Sequence, residues 1–171
     1  IVGRKGSGKS FTLRKYVQAS VNTADRFVIT HEQDPPHLDS LILFTAPINP
    51  CVRTNTWMHI WELAITLSVM SHLLYSEDYM SRFQIENREE LKKVTDRNAS
   101  FFSEVECEFS VFDCVNSLLK FFGNAENLQS YIGGVQYGNL KNLMNRYLKQ
   151  CPTLCFYLDC LDDELRRAPS I

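Results

Sequence analysis

The chain of 171 residues lacks several features that would assign a function class directly. Its formal net charge is only −2, which excludes an overall basic field of the kind that recruits nucleic acid. No segment resembles a signal peptide. The most apolar run, TWMHIWELAITLSVMSHLLY, contains His59, Glu62 and His72, and such side chains are costly in hydrocarbon. We interpret this run as an amphipathic helix in water and expect no membrane partner.

The sequence also lacks the cysteine pairs of a zinc knuckle. None of its six cysteines forms a C-x2-C pair, which is the usual spacing of such zinc ligands. Cys151, Cys155 and Cys160 flank or lie within an apolar run with the character of a strand. Buried free thiols are therefore favoured over a metal site. Because free thiols persist in reducing compartments, we expect a cytoplasmic protein.

The composition and the first thirty residues predict one domain of the α/β class. Hydrophobic residues make up 44% and charged residues 22% of the chain, as in ordinary globular domains. After a glycine-rich stretch, SFTLRKYVQASV predicts a helix with Leu13 and Val17 facing inward and Tyr16 as a further candidate. DRFVITHE predicts a strand. Strand, glycine loop, helix and strand form a βαβ unit, which predicts a parallel central sheet flanked by helices.

The middle of the chain predicts a helical insertion. Pro35 and Pro36 make QDPPHLDS a loop, and LILFTAP is either a short strand or an extended run. Longer helices are predicted from about Thr56 to Leu74, with Thr54 or Asn55 as cap, and over FSVFDCVNSLLKFFGN and GNLKNLMNRYLKQCP. TLCFYLD then has the continuous apolar character of a buried parallel strand that ends on an acid.

The opening IVGRKGSGKS carries the pattern G-x-x-x-x-G-K-S. Glycines let successive N–H groups point inward and bring the backbone close to a pyrophosphate. The helix that begins at Lys9 adds its positive end. Lys9 would neutralise the β- and γ-phosphates, and the Ser10 hydroxyl would ligate Mg²⁺. The predicted nucleotide-binding residues are Gly3, Arg4, Lys5, Gly6, Ser7, Gly8, Lys9, Ser10 and Phe11.

A cluster of acids follows the last apolar run. A phosphate loop needs a carboxylate from a neighbouring strand to help hold Mg²⁺. In TLCFYLDCLDDE, Asp159 ends the run, and Asp162 and Asp163 follow it closely. Combined with the upstream loop, this pattern predicts Ser10 and Asp159 as the metal residues.

The D-x-L-D-D arrangement resembles the second motif of the STAND-type P-loop ATPases, which include the NACHT and KAP families and bacterial relatives. The resemblance rests on the first ten residues and the last dozen or so. It implies that Asp159 contacts the metal and that Asp162 orients the attacking water, while Asp163 stands where NACHT members usually have Glu. Cys160 departs from the family pattern, so the catalytic base stays open between Asp162 and Asp163, with Lys9 as the third catalytic residue.

The same resemblance implies a biological setting. Such a module would bind ATP with Mg²⁺, hydrolyse it, and drive assembly or regulation in a larger protein of antiviral defence or signalling. The implied partners are further copies of the chain or a fused effector domain. A nucleotide-gated oligomerisation switch without turnover is the non-enzymatic alternative.

The sequence bears on two other nucleotide-binding classes, the ABC ATPases and the GTPases. SYIGGVQYG before a strand is similar to the signature of ABC ATPases, but Ile132 stands in place of the signature serine and Val135 separates Gly134 from Gln136. A glycine turn before a helix is favoured there. GTPases read guanine through N-K-x-D, and this motif does not occur in the sequence, which favours ATP.

The positions of the two motifs predict a partial domain. Only Ile1 and Val2 precede the first glycine, whereas a strand has about five residues on average. About a dozen residues follow Asp159. We therefore expect residues 1–171 to be a P-loop ATPase domain excerpted from a larger multidomain chain.

Overall fold

The computed structural model describes residues 8–21, 26–31, 38–77, 88–97, 109–149 and 153–158. In chain order these contain α1 (Lys9–Val21), β1 (Arg26–His31), α2 (Leu38–Thr45), α3 (Pro50–Tyr75), α4 (Arg88–Arg97), α5 (Val111–Phe122), α6 (Ala125–Ile132), α7 (Val135–Leu148) and β2 (Thr153–Leu158).

The long helix α3 organises the helical body. Asn49 caps its start by accepting a hydrogen bond from the Cys51 N–H at 3.0 Å, and Pro50 occupies a first-turn position where its missing N–H costs nothing. Ile60, Leu63 and Leu67 are buried on one side of the helix. They recur at helical spacing, so α3 presents a continuous apolar surface to its neighbours.

Helix α5 packs against α3 and is fixed to it by two hydrogen bonds near its start. Ser68 donates to the Phe109 carbonyl at 2.8 Å, and the Phe109 N–H donates to Ser71 Oγ at 3.0 Å. Both serines are buried, so these bonds satisfy hydroxyls that would otherwise be costly to bury. Ser110 and Asp113 form a capping box at the start of α5.

The core of the described part lies between helices. Its largest fully buried side chains belong to α2, α3, α4 and α5 and include Leu41, Met70, Leu91, Phe112 and Leu118. Helices α6 and α7 add the buried apolar residues Leu128, Leu140 and Met144. The core therefore forms by helix-on-helix packing.

The two strands form one parallel ladder. Arg26 lies opposite Thr153, and His31 lies opposite Leu158. Helix α1 contacts β1. Both strands lie in segments that the sequence predicted to be extended, but within the described ranges the sheet has only these two strands.

The predicted α/β fold with a parallel central sheet flanked by helices is wrong for the described part of the chain. A two-stranded ladder is no central sheet, and the buried apolar residues that would cover one are instead used between helices. In α5 the buried Val111, Cys114, Val115, Leu118 and Phe122 recur at helical spacing, which favours helix packing over strand burial.

Two further expectations about elements are corrected. LILFTAP is no strand: Leu41 to Thr45 lie in α2, where Thr45 Oγ1 donates to the Leu41 carbonyl at 2.9 Å. Helix α3 starts at Pro50, earlier than the expected Thr56, because Asn49 and not Thr54 or Asn55 is its cap. None of the helices in the described ranges combines the length and the apolarity that a bilayer crossing requires.

Candidate functional site

The described end of the predicted phosphate loop is the junction of Gly8 and α1. Gly8 has φ of +78°, a left-handed conformation that glycine adopts without strain. Its carbonyl accepts from the Thr12 N–H at 2.9 Å, so the helix begins immediately after it. A Cβ on Gly8 would meet no atom within 4 Å. The sequence places glycine here for its backbone conformation, since space does not demand it.

The first turn of α1 presents Lys9, Ser10 and Phe11. Ser10 is exposed, and Phe11 is 65% exposed. The first turn contains no acidic residue, so the positive end of the helix dipole is not compensated by a carboxylate from the helix itself. This end of α1 is electrostatically suited to an anion.

The rest of the predicted nucleotide site lies outside the described residues. Among the loop residues these are Gly3, Arg4, Lys5, Gly6 and Ser7, and among the acids they are Asp159, Asp162 and Asp163. Leu158, the last residue of β2, is opposite His31 in the ladder. Asp159 therefore follows directly from the carboxyl end of a strand, in the sequence position that the metal-acid hypothesis requires.

The segment similar to the ABC signature lies between two helices. Gly133 follows α6, and Gly134 is the cap residue of α7. The Gly133 N–H donates to the Gln129 carbonyl at 3.0 Å, and the Gly134 N–H donates to the Tyr131 carbonyl at 2.9 Å. These glycines form the turn before a helix that the sequence favours.

A polar cluster that the sequence did not predict connects α3 to α7. Lys141 Nζ lies 2.6 Å from Glu62 Oε1, and the Tyr137 hydroxyl donates to Glu62 Oε2 at 2.6 Å. His59 Nδ1 lies 3.5 Å from the same Oε2. We call Glu62, Tyr137, Lys141 and His59 the Glu62 cluster. Its sequence signals are the three-residue spacing of His59 and Glu62 and the four-residue spacing of Tyr137 and Lys141, each of which places the pair on one face of its helix.

The Glu62 carboxyl is stabilised in its ionised form. Burial opposes ionisation, but the hydrogen bonds from Lys141 and Tyr137 and the Lys141 charge together lower the pKa of Glu62 below its ordinary value. For Tyr137, burial first and then the Glu62 carboxylate raise the pKa well above its usual range. The tyrosine therefore stays protonated and donates, and the carboxylate accepts.

A cavity of about 590 Å³ adjoins this cluster. We call it the α3–α7 cavity. Its surface is mostly apolar and includes Met58, Trp61 and Ile65 from α3 and Met144 from α7. Glu62 and Lys141 are the charged residues in the described part of the lining. A smaller cavity of about 290 Å³ lies near the start of α3 beside Trp57.

The described cysteines are free thiols. Cys51 is exposed, Cys155 is half-buried and Cys114 is buried. Burial and then the neighbouring Asp113 charge raise the pKa of Cys114 above its usual range, so this thiol is unreactive. Within the described ranges, no group of three or more His, Cys, Asp and Glu side chains could hold a metal ion.

Comparisons of the chain with protein-family models, with curated proteins and with solved structures give no match.

Proposed function

We propose that the chain binds ATP with Mg²⁺ at the amino end of α1 and hydrolyses it. The observation that carries the proposal is the left-handed Gly8 directly before Lys9, at the last glycine of G-x-x-x-x-G-K-S. This spacing and this local conformation together are typical of a loop whose N–H groups surround a phosphate.

The short link between α1 and β1 supports a location of the phosphate loop and of the acids after β2 at the same edge of the β1–β2 ladder. Only four residues separate Val21 from Arg26, and they span at most about 17 Å. Helix α1 contacts β1 and is about 20 Å long. Because the link is too short to return along the helix, it excludes a parallel, side-by-side arrangement of α1 and β1 and favours opposite directions. In that arrangement the amino end of α1 lies toward the carboxyl ends of β1 and β2, and Asp159 follows β2 in the sequence.

The proposed roles follow from charge and position. Lys9 neutralises developing charge on the transferred phosphoryl group, and Ser10 and Asp159 supply oxygen ligands suited to Mg²⁺. When bound, Mg²⁺ would stabilise negative charge on the phosphate groups. Asp162 orients the attacking water, with Asp163 as the alternative for this role.

The proposal extends to assembly in a reducing compartment. The resemblance to STAND-type ATPases supports a module that assembles or regulates a larger cytoplasmic protein, for instance in antiviral defence. The exposed free thiol of Cys51 is compatible with such a compartment. Sedimentation velocity with and without Mg²⁺–ATP tests the assembly step, which requires a nucleotide-dependent increase in mass.

Calorimetric titration with Mg²⁺–ATP tests the binding site. Lys9→Ala should weaken binding about a hundredfold, because a charge-assisted contact with phosphate is lost. Lys15→Ala is the matched control, since Lys15 is an exposed lysine later on the same helix. Equal affinities of the Lys9→Ala variant and the unsubstituted chain would refute the loop assignment.

Phosphate release tests turnover and the roles of the acids. Asp159→Asn should weaken the Mg²⁺-dependent part of ATP binding, whereas Asp39→Asn, at an exposed acid of α2, should not. Asp162→Asn should preserve binding and stop phosphate release. If Asp163→Asn does so instead, the water-orienting role belongs to Asp163. Tight binding without phosphate release by the unsubstituted chain would identify a switch.

A further inference from the structure

The α3–α7 cavity is an open depression with mostly apolar surface and the volume of a small-molecule site. Its volume of about 590 Å³ falls within the range of ligand pockets, roughly 300–1,000 Å³. Met58 is 58% exposed, and Trp61 and Ile65 are only half-buried. These three residues recur along one face of α3 and line the same cavity. Covering an apolar surface of this kind with a ligand is favourable, because it removes the surface from water.

At the polar end of the cavity, contacts between side chains restrain Glu62 and Lys141. Glu62 uses one carboxylate oxygen for Lys141 and the other for Tyr137, each at 2.6 Å. Lys141 Nζ also lies 5.5 Å from the centre of the Tyr137 ring. The ammonium is therefore restrained at the edge of an apolar cavity by contacts with two residues. Such restraint lowers the entropy that Lys141 would lose on binding a ligand.

The charges at this end select the ligand chemistry. Among the described residues, the lining contains one acid and one base, Glu62 and Lys141, which neutralise each other. A cationic ligand would compete with Lys141 for an occupied carboxylate, and an anionic ligand would approach that carboxylate. An ammonium has three N–H donors, so Lys141 can bind a neutral acceptor while it keeps Glu62.

We propose that the α3–α7 cavity binds a neutral, largely apolar small molecule whose hydrogen-bond acceptor, such as a carbonyl oxygen, meets Lys141. The apolar body of the ligand lies against Met58, Trp61, Ile65 and Met144. This proposal rests on other observations than the nucleotide site does, because the described residues that line the cavity belong to α3 and α7.

Fluorescence titration with prodan, a neutral naphthalene that carries a ketone oxygen, tests the site. Asn145→Trp places a large ring at an exposed position that lines the cavity and should weaken prodan binding at least about tenfold by filling the space. Thr66→Trp is a second filling variant from α3. Val135→Trp is the control, because Val135 is 78% exposed and does not line the cavity.

A second comparison tests the acceptor. Lys141→Met should weaken prodan binding about tenfold, the usual scale of a lost hydrogen bond to a charged group. It should not weaken binding of N-phenyl-1-naphthylamine, which has a similar aromatic body but no carbonyl. Circular dichroism establishes that each variant is folded.

Three results would overturn the proposal. The first is the absence of prodan binding by the unsubstituted chain. The second is prodan binding that persists in both filling variants while they remain folded. The third is a dimer, detected by sedimentation velocity, that both filling variants dissociate, which would make a second copy the occupant.

Discussion

At the scale of single residues, Glu62 links protonation to stability. Its pKa is lower in the folded chain than its ordinary value of 4.5. The unfolded chain therefore binds more protons below this value, so the stabilising contribution is present above pH 4.5 and is lost as the pH falls through the folded pKa. Glu62 is partly exposed, so solvent screening reduces the contribution.

Glu62→Gln should therefore change the pH dependence of unfolding. The difference in free energy of unfolding between the unsubstituted chain and this variant should be largest above pH 4.5 and shrink on acidification. Urea titrations over a pH series measure it. Glu77→Gln is the control at an exposed glutamate of the same helical body. A difference that grows toward low pH would contradict the direction of the shift.

Leucines that differ in burial should respond very differently to the same truncation. Leu118 is 1% exposed and lies in the core, whereas Leu43 is 73% exposed on α2. Leu118→Ala should lower the free energy of unfolding by about 3 kcal/mol, because it removes buried methyl groups and leaves a cavity. Leu43→Ala should cost less than about 0.5 kcal/mol. Urea unfolding measures both, and similar losses would mean that Leu43 is covered in solution.

At the scale of elements, two glycines distinguish the effect of backbone conformation from the effect of available space. Gly123 ends α5 with φ of +67°, while Gly138 lies inside α7, and a Cβ on either would meet no atom within 4 Å. Gly123→Ala should cost about 1 kcal/mol, because a left-handed conformation strains alanine. Gly138→Ala should instead stabilise the fold by about 0.5–1 kcal/mol, since alanine favours helix. Thermal unfolding of both variants checks the opposite signs.

The helices show which sequence signals are sufficient and which are ambiguous. Gly123 was recognisable as the stop of α5 because glycine commonly ends helices. The start of α3 was missed although Asn49 and Pro50 form a recognisable cap and first turn. LILFTAP was misassigned because a short apolar run has the same pattern in a buried strand and in a buried helix.

At the scale of the whole molecule, the sequence predicted most helices and failed on the architecture. Local spacing identifies an amphipathic helix, but whether its apolar face meets a sheet or another helix depends on partners far along the chain. The same limit applies to the Glu62 cluster, whose Tyr137 hydrogen bond joins residues 75 positions apart. The phosphate loop, by contrast, can be predicted from sequence alone, because its pattern is confined to eight consecutive residues; it stays a prediction.

The β1–β2 ladder pairs two segments that are far apart in the sequence, so its stability depends on the helical body between them. In an unfolded chain, closing the segment between His31 and Thr153 would cost about 4 kcal/mol of entropy. The folded helical body between these strands reduces that cost by holding the intervening chain compact. We therefore expect the ladder and the helical core to unfold in one cooperative transition.

Ligand linkage tests this cooperativity. Both tryptophans, Trp57 and Trp61, lie on α3, so their fluorescence reports unfolding of the helical body and not of α1. Mg²⁺–ATP at a hundred times its dissociation constant should stabilise the folded state by about 2.7 kcal/mol. In a cooperative molecule this raises the urea midpoint reported by tryptophan. Lys9→Ala should abolish the increase, and Lys15→Ala should retain it. An unchanged tryptophan midpoint despite calorimetric ATP binding would show that the helical body unfolds independently of the nucleotide site.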